Sequence, residues 1–114
     1  MPYVKIETSK TLDESSTAEL LKKTSGFISN LVGKPEQYIM ISINQGTKMM
    51  FGGDTKPVAY VELKSIGLQQ EQCAELSKAL CNFIQSELDV SPDRVFIEFT
   101  ALNGKMFGWD GSTF

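Results

Sequence analysis

Histidine is missing from this chain altogether, which removes the side chain that usually moves protons near neutral pH and a leading nitrogen ligand for zinc. Cysteine is scarce. Cys73 and Cys81 stand eight residues apart in what reads as one helix, about 12 Å along its axis, so they cannot bridge each other within one chain. With these two absences a zinc or redox centre has no ligands to stand on, and no cofactor is expected. Arginine occurs once, Arg94, and the net charge is −3. No basic stripe exists to follow a nucleic-acid backbone, and that class of partner is set aside. No apolar run approaches the roughly 20 residues that span a bilayer, and the N-terminus lacks the basic and apolar regions of a signal peptide. No membrane partner is therefore expected, synthesis in the cytosol (a cytoplasmic location) follows, and export by a non-classical route is left open.

What is present suffices for a core. Apolar and aromatic residues make up 41% of the 114 residues, which argues for one folded domain over 1–114 rather than disorder. The chain repeats itself weakly but in order, in halves of about 2–56 and 57–114. Pro2-Tyr3-Val4-Lys5-Ile6-Glu7 is echoed by Pro57-Val58-Ala59-Tyr60-Val61-Glu62-Leu63. Later, Leu31-Val32-Gly33-Lys34-Pro35 is echoed by Leu88-Asp89-Val90-Ser91-Pro92.

Strands are predicted over residues 2–7, 38–44, 57–64 and 95–100, where β-branched and aromatic residues concentrate. A helix beginning near Asp13, capped by Thr11 or Asp13, places Leu21, Ile28, Leu31 and Val32 on one face. A second, from about Gln69 to Leu88, does the same with Cys73, Leu76, Leu80, Phe83, Ile84 and Leu88. The expected fold is an α/β two-layer sandwich of two pseudo-repeated β-α-β units, a four-stranded mixed sheet with both helices on one face. Each strand-helix-strand crossover must be parallel and right-handed. The other face is expected to be apolar, because Ile39-Met40-Ile41-Ser42-Ile43 is apolar in nearly both parities, and to be covered by further subunits.

Pro2 is the most informative single residue. If Met1 is removed, as its small neighbour favours, Pro2 becomes a secondary amine anchored by a strand. An ordinary α-amino group titrates at roughly 7.7–8.0, and apolar surroundings or a nearby cation lower that value. In a chain without histidine this amine is the candidate general base, although a proline also suits the start of an edge strand. Met49-Met50-Phe51-Gly52-Gly53-Asp54 reads as a loop or short hairpin, its spacing matching no nucleotide-binding loop. The tail from Gly104 to Phe114 carries the only tryptophan, Trp109, and its aromatics suggest docking into a core or around an apolar pocket.

Taken in order, Met1-Pro2, Gly33-Lys34-Pro35 with Gln37-Tyr38-Ile39, Phe51-Gly52-Gly53, Ser65-Ile66-Gly67, Ser91-Pro92-Asp93-Arg94-Val95 and Gly108-Trp109 with Ser112-Thr113-Phe114 resemble the macrophage migration inhibitory factor family of the tautomerase superfamily. The resemblance runs through the whole chain. It implies a homotrimer with active sites between subunits, and keto-enol tautomerase activity on phenylpyruvate-like and dopachrome-like compounds, with a small aromatic 2-keto acid as substrate. It implies further that Pro2 is the catalytic base and that Lys34 lowers the amine's pKa or pairs with a substrate carboxylate. Ser65 and Ile66 would form the wall beside the base. Tyr38, Phe107, Trp109 and Phe114 would form the aromatic lining, while Phe96 and Glu98 would come from the neighbouring subunit.

The chain departs from this pattern in several places. Val58-Ala59-Tyr60-Val61 stands where many animal members carry a Cys-x-x-Cys pair, which removes the residues for a thiol-disulfide activity. Phe96 replaces a tyrosine and Glu98 an asparagine, Lys64 stands where a histidine is common, and Thr100 where a tyrosine is frequent. These changes bear on substrate preference and leave receptor binding open. The competing reading is a cytokine-like signalling protein with a vestigial pocket.

Overall fold

Alternation over Tyr3–Thr8 buries every second side chain, Val4, Ile6 and Thr8, as a strand with one covered face must. The computed structural model describes residues 1–114. This first strand, β1 (Tyr3–Thr8), is followed by α1 (Glu14–Val32), β2 (Met40–Asn44), β3 (Ala59–Ile66), α2 (Cys73–Leu88) and β4 (Val95–Leu102). A small hairpin of β5 (Gly108–Trp109) and β6 (Ser112–Thr113) completes the chain. The sheet order is β2-β1-β3-β4. β1 runs parallel to β2 and β3 parallel to β4, while β1 and β3 meet antiparallel at the centre. Two β-α-β units thus lie side by side in opposite directions, the mixed sheet and two helices expected from the repeat.

Local chemistry sets the helix ends. Asp13 caps α1: its Oδ1 accepts the Ser16 N–H at 2.7 Å, and this bond holds the carboxyl below the usual carboxylate range. Gly33 ends the helix at φ 68°, a left-handed conformation that costs glycine little, and its N–H reaches the Ser29 carbonyl. α2 is led by a short 3-10 turn, Gln70–Gln72.

The buried stripe of α1 is Leu20, Thr24 and Ile28, not the Leu21-based face anticipated; Leu21 is 36% exposed. A threonine hides the true phase. Its hydroxyl donates to the Leu20 carbonyl at 2.6 Å, so a polar residue sits in the core at no loss of hydrogen bonding. α2 buries Leu76, Leu80, Ile84 and Leu88, and Phe83 stacks on Phe27 of α1 with ring centres 4.2 Å apart. Together with Val61, Leu63 and Val95 these side chains form one core between helices and sheet. Each fully buried Leu or Ile contributes about 1.5–3 kcal/mol.

The outer sheet face corrects another expectation, because it is not apolar. Register places Ile41 and Ile43 beside Val4 and Ile6 toward the helices, which turns Met40, Ser42 and Asn44 outward. Beside them on that face stand Tyr3, Lys5 and Glu7 of β1, Tyr60, Glu62 and Lys64 of β3, and Phe96, Glu98 and Thr100 of β4. Apolarity in both parities of one short segment came from its flanks, not from its sheet-facing pattern.

The link between the halves is a tight hairpin. Gly52 and Gly53 both take positive φ, 63° and 83°, between the paired Phe51 and Asp54, as a type I′ turn demands. Arg94 clamps it to the start of β4. Its guanidinium donates to the Pro57, Lys56 and Phe51 carbonyls, pairs with Asp54 at 3.0 Å and lies over the Phe51 ring.

Candidate active site

The parallel ladder of β1 and β2 continues one residue beyond the strand, since the Met40 N–H donates to the Pro2 carbonyl at 3.1 Å. That bond fixes the N-terminus at the end of the sheet. Pro2 is buried there, and Met1 projects into a cavity of about 480 Å³. The cavity walls come from four places. The turn after α1 supplies Gln37 and Tyr38, the start of β2 supplies Ile39 and Met40, and Lys64 and Leu102 come from the ends of β3 and β4. The tail supplies Phe107, Gly108 and Trp109.

The tail docks through stacked aromatics rather than fraying. Trp109 meets Tyr38 edge-on with centres 5.8 Å apart, and Phe114 stacks on both Trp109 (6.1 Å) and Phe107 (5.8 Å). The Phe114 N–H closes the loop on the Gly104 carbonyl at 3.0 Å. Gly104 itself approaches the Phe114 backbone so closely that a Cβ there would lie 3.3 Å from its carbonyl oxygen. An aromatic wall of this kind suits a flat apolar ligand.

The amine at the cavity carries the electrostatic signature of a base. The N-terminal amino group is pushed below 8.0, first by burial and second by the positive charge of Lys34, both of which disfavour the ammonium form. Lys34 itself lines a smaller, separate hollow of about 220 Å³ with Ser65, Ile66 and Gly67. Ser29 positions it from behind, its hydroxyl donating to the Lys34 carbonyl at 2.6 Å. An amine of lowered proton affinity facing an apolar, aromatic-walled cavity, with a cation close by, has the make-up to take a proton from a carbon acid and hold an anion beside it.

Of the residues singled out in the sequence, Pro2, Tyr38, Phe107 and Trp109 share the cavity, and Phe114 backs its wall. Lys34, Ser65 and Ile66 line the neighbouring hollow. Phe96 and Glu98 are elsewhere. Phe96, 52% exposed, meets Phe51 edge-on with centres 4.9 Å apart, and Glu98 accepts the Tyr60 hydroxyl, which raises the Tyr60 pKa. Tyr60 pairs with Phe96 in register and lies four residues along β3 from Lys64, so Phe96 sits about 13 Å from the cavity end of the sheet. Gln37, Met40, Lys64 and Leu102 are cavity residues that sequence reasoning did not select. For Lys64 the signal was its parity, the outward position on β3 opposite Tyr3.

A wider hollow of about 600 Å³ lies among Ser9, Thr11, Thr47, Lys48 and Thr55. It has neither an aromatic wall nor an amino terminus, and the chemistry is assigned to the smaller cavity.

Comparison with known proteins places these features in company. The family model described as macrophage migration inhibitory factor matches residues 1–114. A macrophage migration inhibitory factor homolog of Brugia malayi is 36% identical over 115 residues, covering 100% of this chain and 99% of the relative. Among solved structures, a homologue from Prochlorococcus marinus superposes with a TM-score of 0.89 at 37% identity, covering 98% of each chain. The factor from Trichinella spiralis gives 0.89 at 30% identity over 98% of this chain and 99% of its own.

Proposed function

The chain belongs to the macrophage migration inhibitory factor family, within the tautomerase superfamily, and from that premise we propose that it is a cofactor-free keto-enol tautomerase acting on phenylpyruvate-like 2-oxo acids. The observation that carries the reading is the N-terminal amine, held below its ordinary pKa at the mouth of an aromatic-walled cavity. Removal of Met1 would transfer that amine to Pro2, one residue deeper and buried. The neutral nitrogen then takes a proton from the carbon next to the ketone. The C–H electron pair becomes the carbon-carbon double bond, and the carbonyl oxygen gains the negative charge, then a proton. Ketonisation runs the same steps backward, the ammonium returning its proton to carbon.

Lys34 has two parts in this scheme. Its charge adds to burial in disfavouring the protonated amine, and its ammonium can pair with the substrate carboxylate. Tyr38, Phe107 and Trp109 would hold the aromatic body, with Phe114 behind them and Ser65 and Ile66 beside the base. Positioning base and carbon about 3–3.5 Å apart supplies much of the rate, and a base tuned near the working pH supplies more. We further propose that the working form is a homotrimer in which a neighbour brings Phe96 and Glu98 to this cavity.

The test follows the ketonisation of enol-phenylpyruvate by the processed protein, its lost Met1 verified by intact mass, and by Pro2→Gly. The expected outcome is a fall of about 100-fold or more in kcat/KM, the usual contribution of a general base. A wild type no faster than the variant would reject the enzyme and favour the signalling reading.

A further inference from the structure

We propose that Lys64 is a second anion anchor of the cavity, suited to 2-oxo acids that carry another acidic group at the end remote from the carbonyl. The proposal rests on the tautomerase reading of the same site and names its substrate class. Lys64 lies on the sheet face away from the helices, opposite Tyr3, and lines the cavity with Pro2, Tyr38 and Trp109. Its one ion pair is with Glu62, two residues back on the same strand, at 3.7 Å. That separation exceeds hydrogen-bond length, so within its own chain the ammonium's three N–H donors remain free for a ligand.

Glu62 is poorly placed to hold this lysine. Its register neighbours are Lys5 on β1, a second cation beside it, and Glu98 on β4, a like charge directly across the ladder. The lysine side chain is 37% exposed, enough for a ligand to reach. Next to apolar and aromatic walls, a carboxylate meeting it faces less competition from water than at an open surface.

The two lysines serve different ends of a ligand. Lys34 is the cation felt by the N-terminal amine, and so marks where a carboxylate next to the reacting carbonyl would lie. Lys64 exerts no comparable influence on that amine, though it lines the same cavity as Met1 and Pro2. A monoacid such as phenylpyruvate satisfies only Lys34. A diacid with one carboxylate on the Lys34 side of the amine and the other in the cavity satisfies both.

Equilibrium titration with cinnamate and 4-carboxycinnamate, which cannot enolise, reads the anchor without requiring turnover. The processed wild type should bind the diacid about five- to tenfold more tightly than the monoacid, the range for one partly exposed charge-assisted contact. Lys64→Gln should reduce that ratio to about one, Lys64→Arg should restore most of it, and Glu62→Gln should increase it. A ratio near one in the wild type, or a preference that survives Lys64→Gln, overturns the anchor. The substrate class is read separately, from kcat/KM for enol-oxaloacetate against enol-phenylpyruvate. Loss of Lys64 should depress the first selectively, and equal depression of both overturns the assignment. If wild type and Pro2→Gly ketonise both enols equally, the tautomerase reading and the substrate assignment fail together, while the titration still decides the anchor.

Discussion

The N-terminal amine loses proton affinity to two causes that substitution can separate. Burial acts through the fold and cannot be removed by one surface change; the second cause, the charge of Lys34, can be removed at once. In Lys34→Ala the ammonium form loses its repulsive neighbour, so the amine's pKa should rise. It should still stay below the amine's ordinary value, because the larger cause persists. Nitrogen-15 NMR of the terminal amine across pH checks this, and an unchanged midpoint would detach Lys34 from the base. The activity profile follows with the same sign. The base works when neutral, so the rate should climb with pH through the amine's pKa, and the climb should move to higher pH in Lys34→Ala. Legibility in the sequence differs among these residues for a physical reason. Pro2 and Trp109 announce themselves by type and position, whereas Lys64 is an ordinary lysine until strand register turns it toward the cavity.

Elements were legible where their patterning is unambiguous, and misread where a polar residue stood in an apolar stripe. The repeat and its four strands followed from β-branched runs bounded by Pro35, Pro57 and Pro92. The phase of α1 did not, since Thr24 hides its hydroxyl in a helix-internal bond. Arg94 was equally opaque. From composition it is the lone arginine, evidence only against nucleic-acid binding, yet it is the element that joins the hairpin at Gly52-Gly53 to β4. A guanidinium can donate to three carbonyls while pairing with Asp54 because its N–H groups form a rigid fork; an ammonium on a flexible stem cannot reproduce that. Arg94→Ala should therefore lower stability by about 2 kcal/mol, and Arg94→Lys should recover less than half. Urea midpoints at constant m-value measure both. A lysine variant as stable as the wild type would show that charge alone, rather than the fork, matters here.

At the scale of the whole molecule, the distance between Phe96 and the cavity becomes an argument about assembly. β4 is an edge strand, and Phe96 lies on it about 13 Å along the sheet from Lys64. Phe96 thus stands away from the cavity of its own chain, and in the proposed trimer a neighbour would bring it to one. The outer face, with Lys5, Glu7, Glu62, Lys64 and Glu98, is too charged for a dry interface, so contacts between subunits should run through strand edges and the tail. Light scattering should give three times 12.6 kDa. Sharing of sites can be tested by complementation. Pro2→Gly breaks the base, and Phe96→Ala, expected to lower activity at least tenfold, breaks the neighbour's wall. When the two chains are co-refolded in equal amounts, random pairing gives about a quarter of the sites an intact Pro2 facing an intact Phe96, so about a quarter of wild-type activity should return. If each site were built within one chain, every site in the mixture would carry one defect and no activity would be regained. Recovery in the mixture, above the residual activity of either variant alone, is the outcome that the proposed sharing of sites predicts.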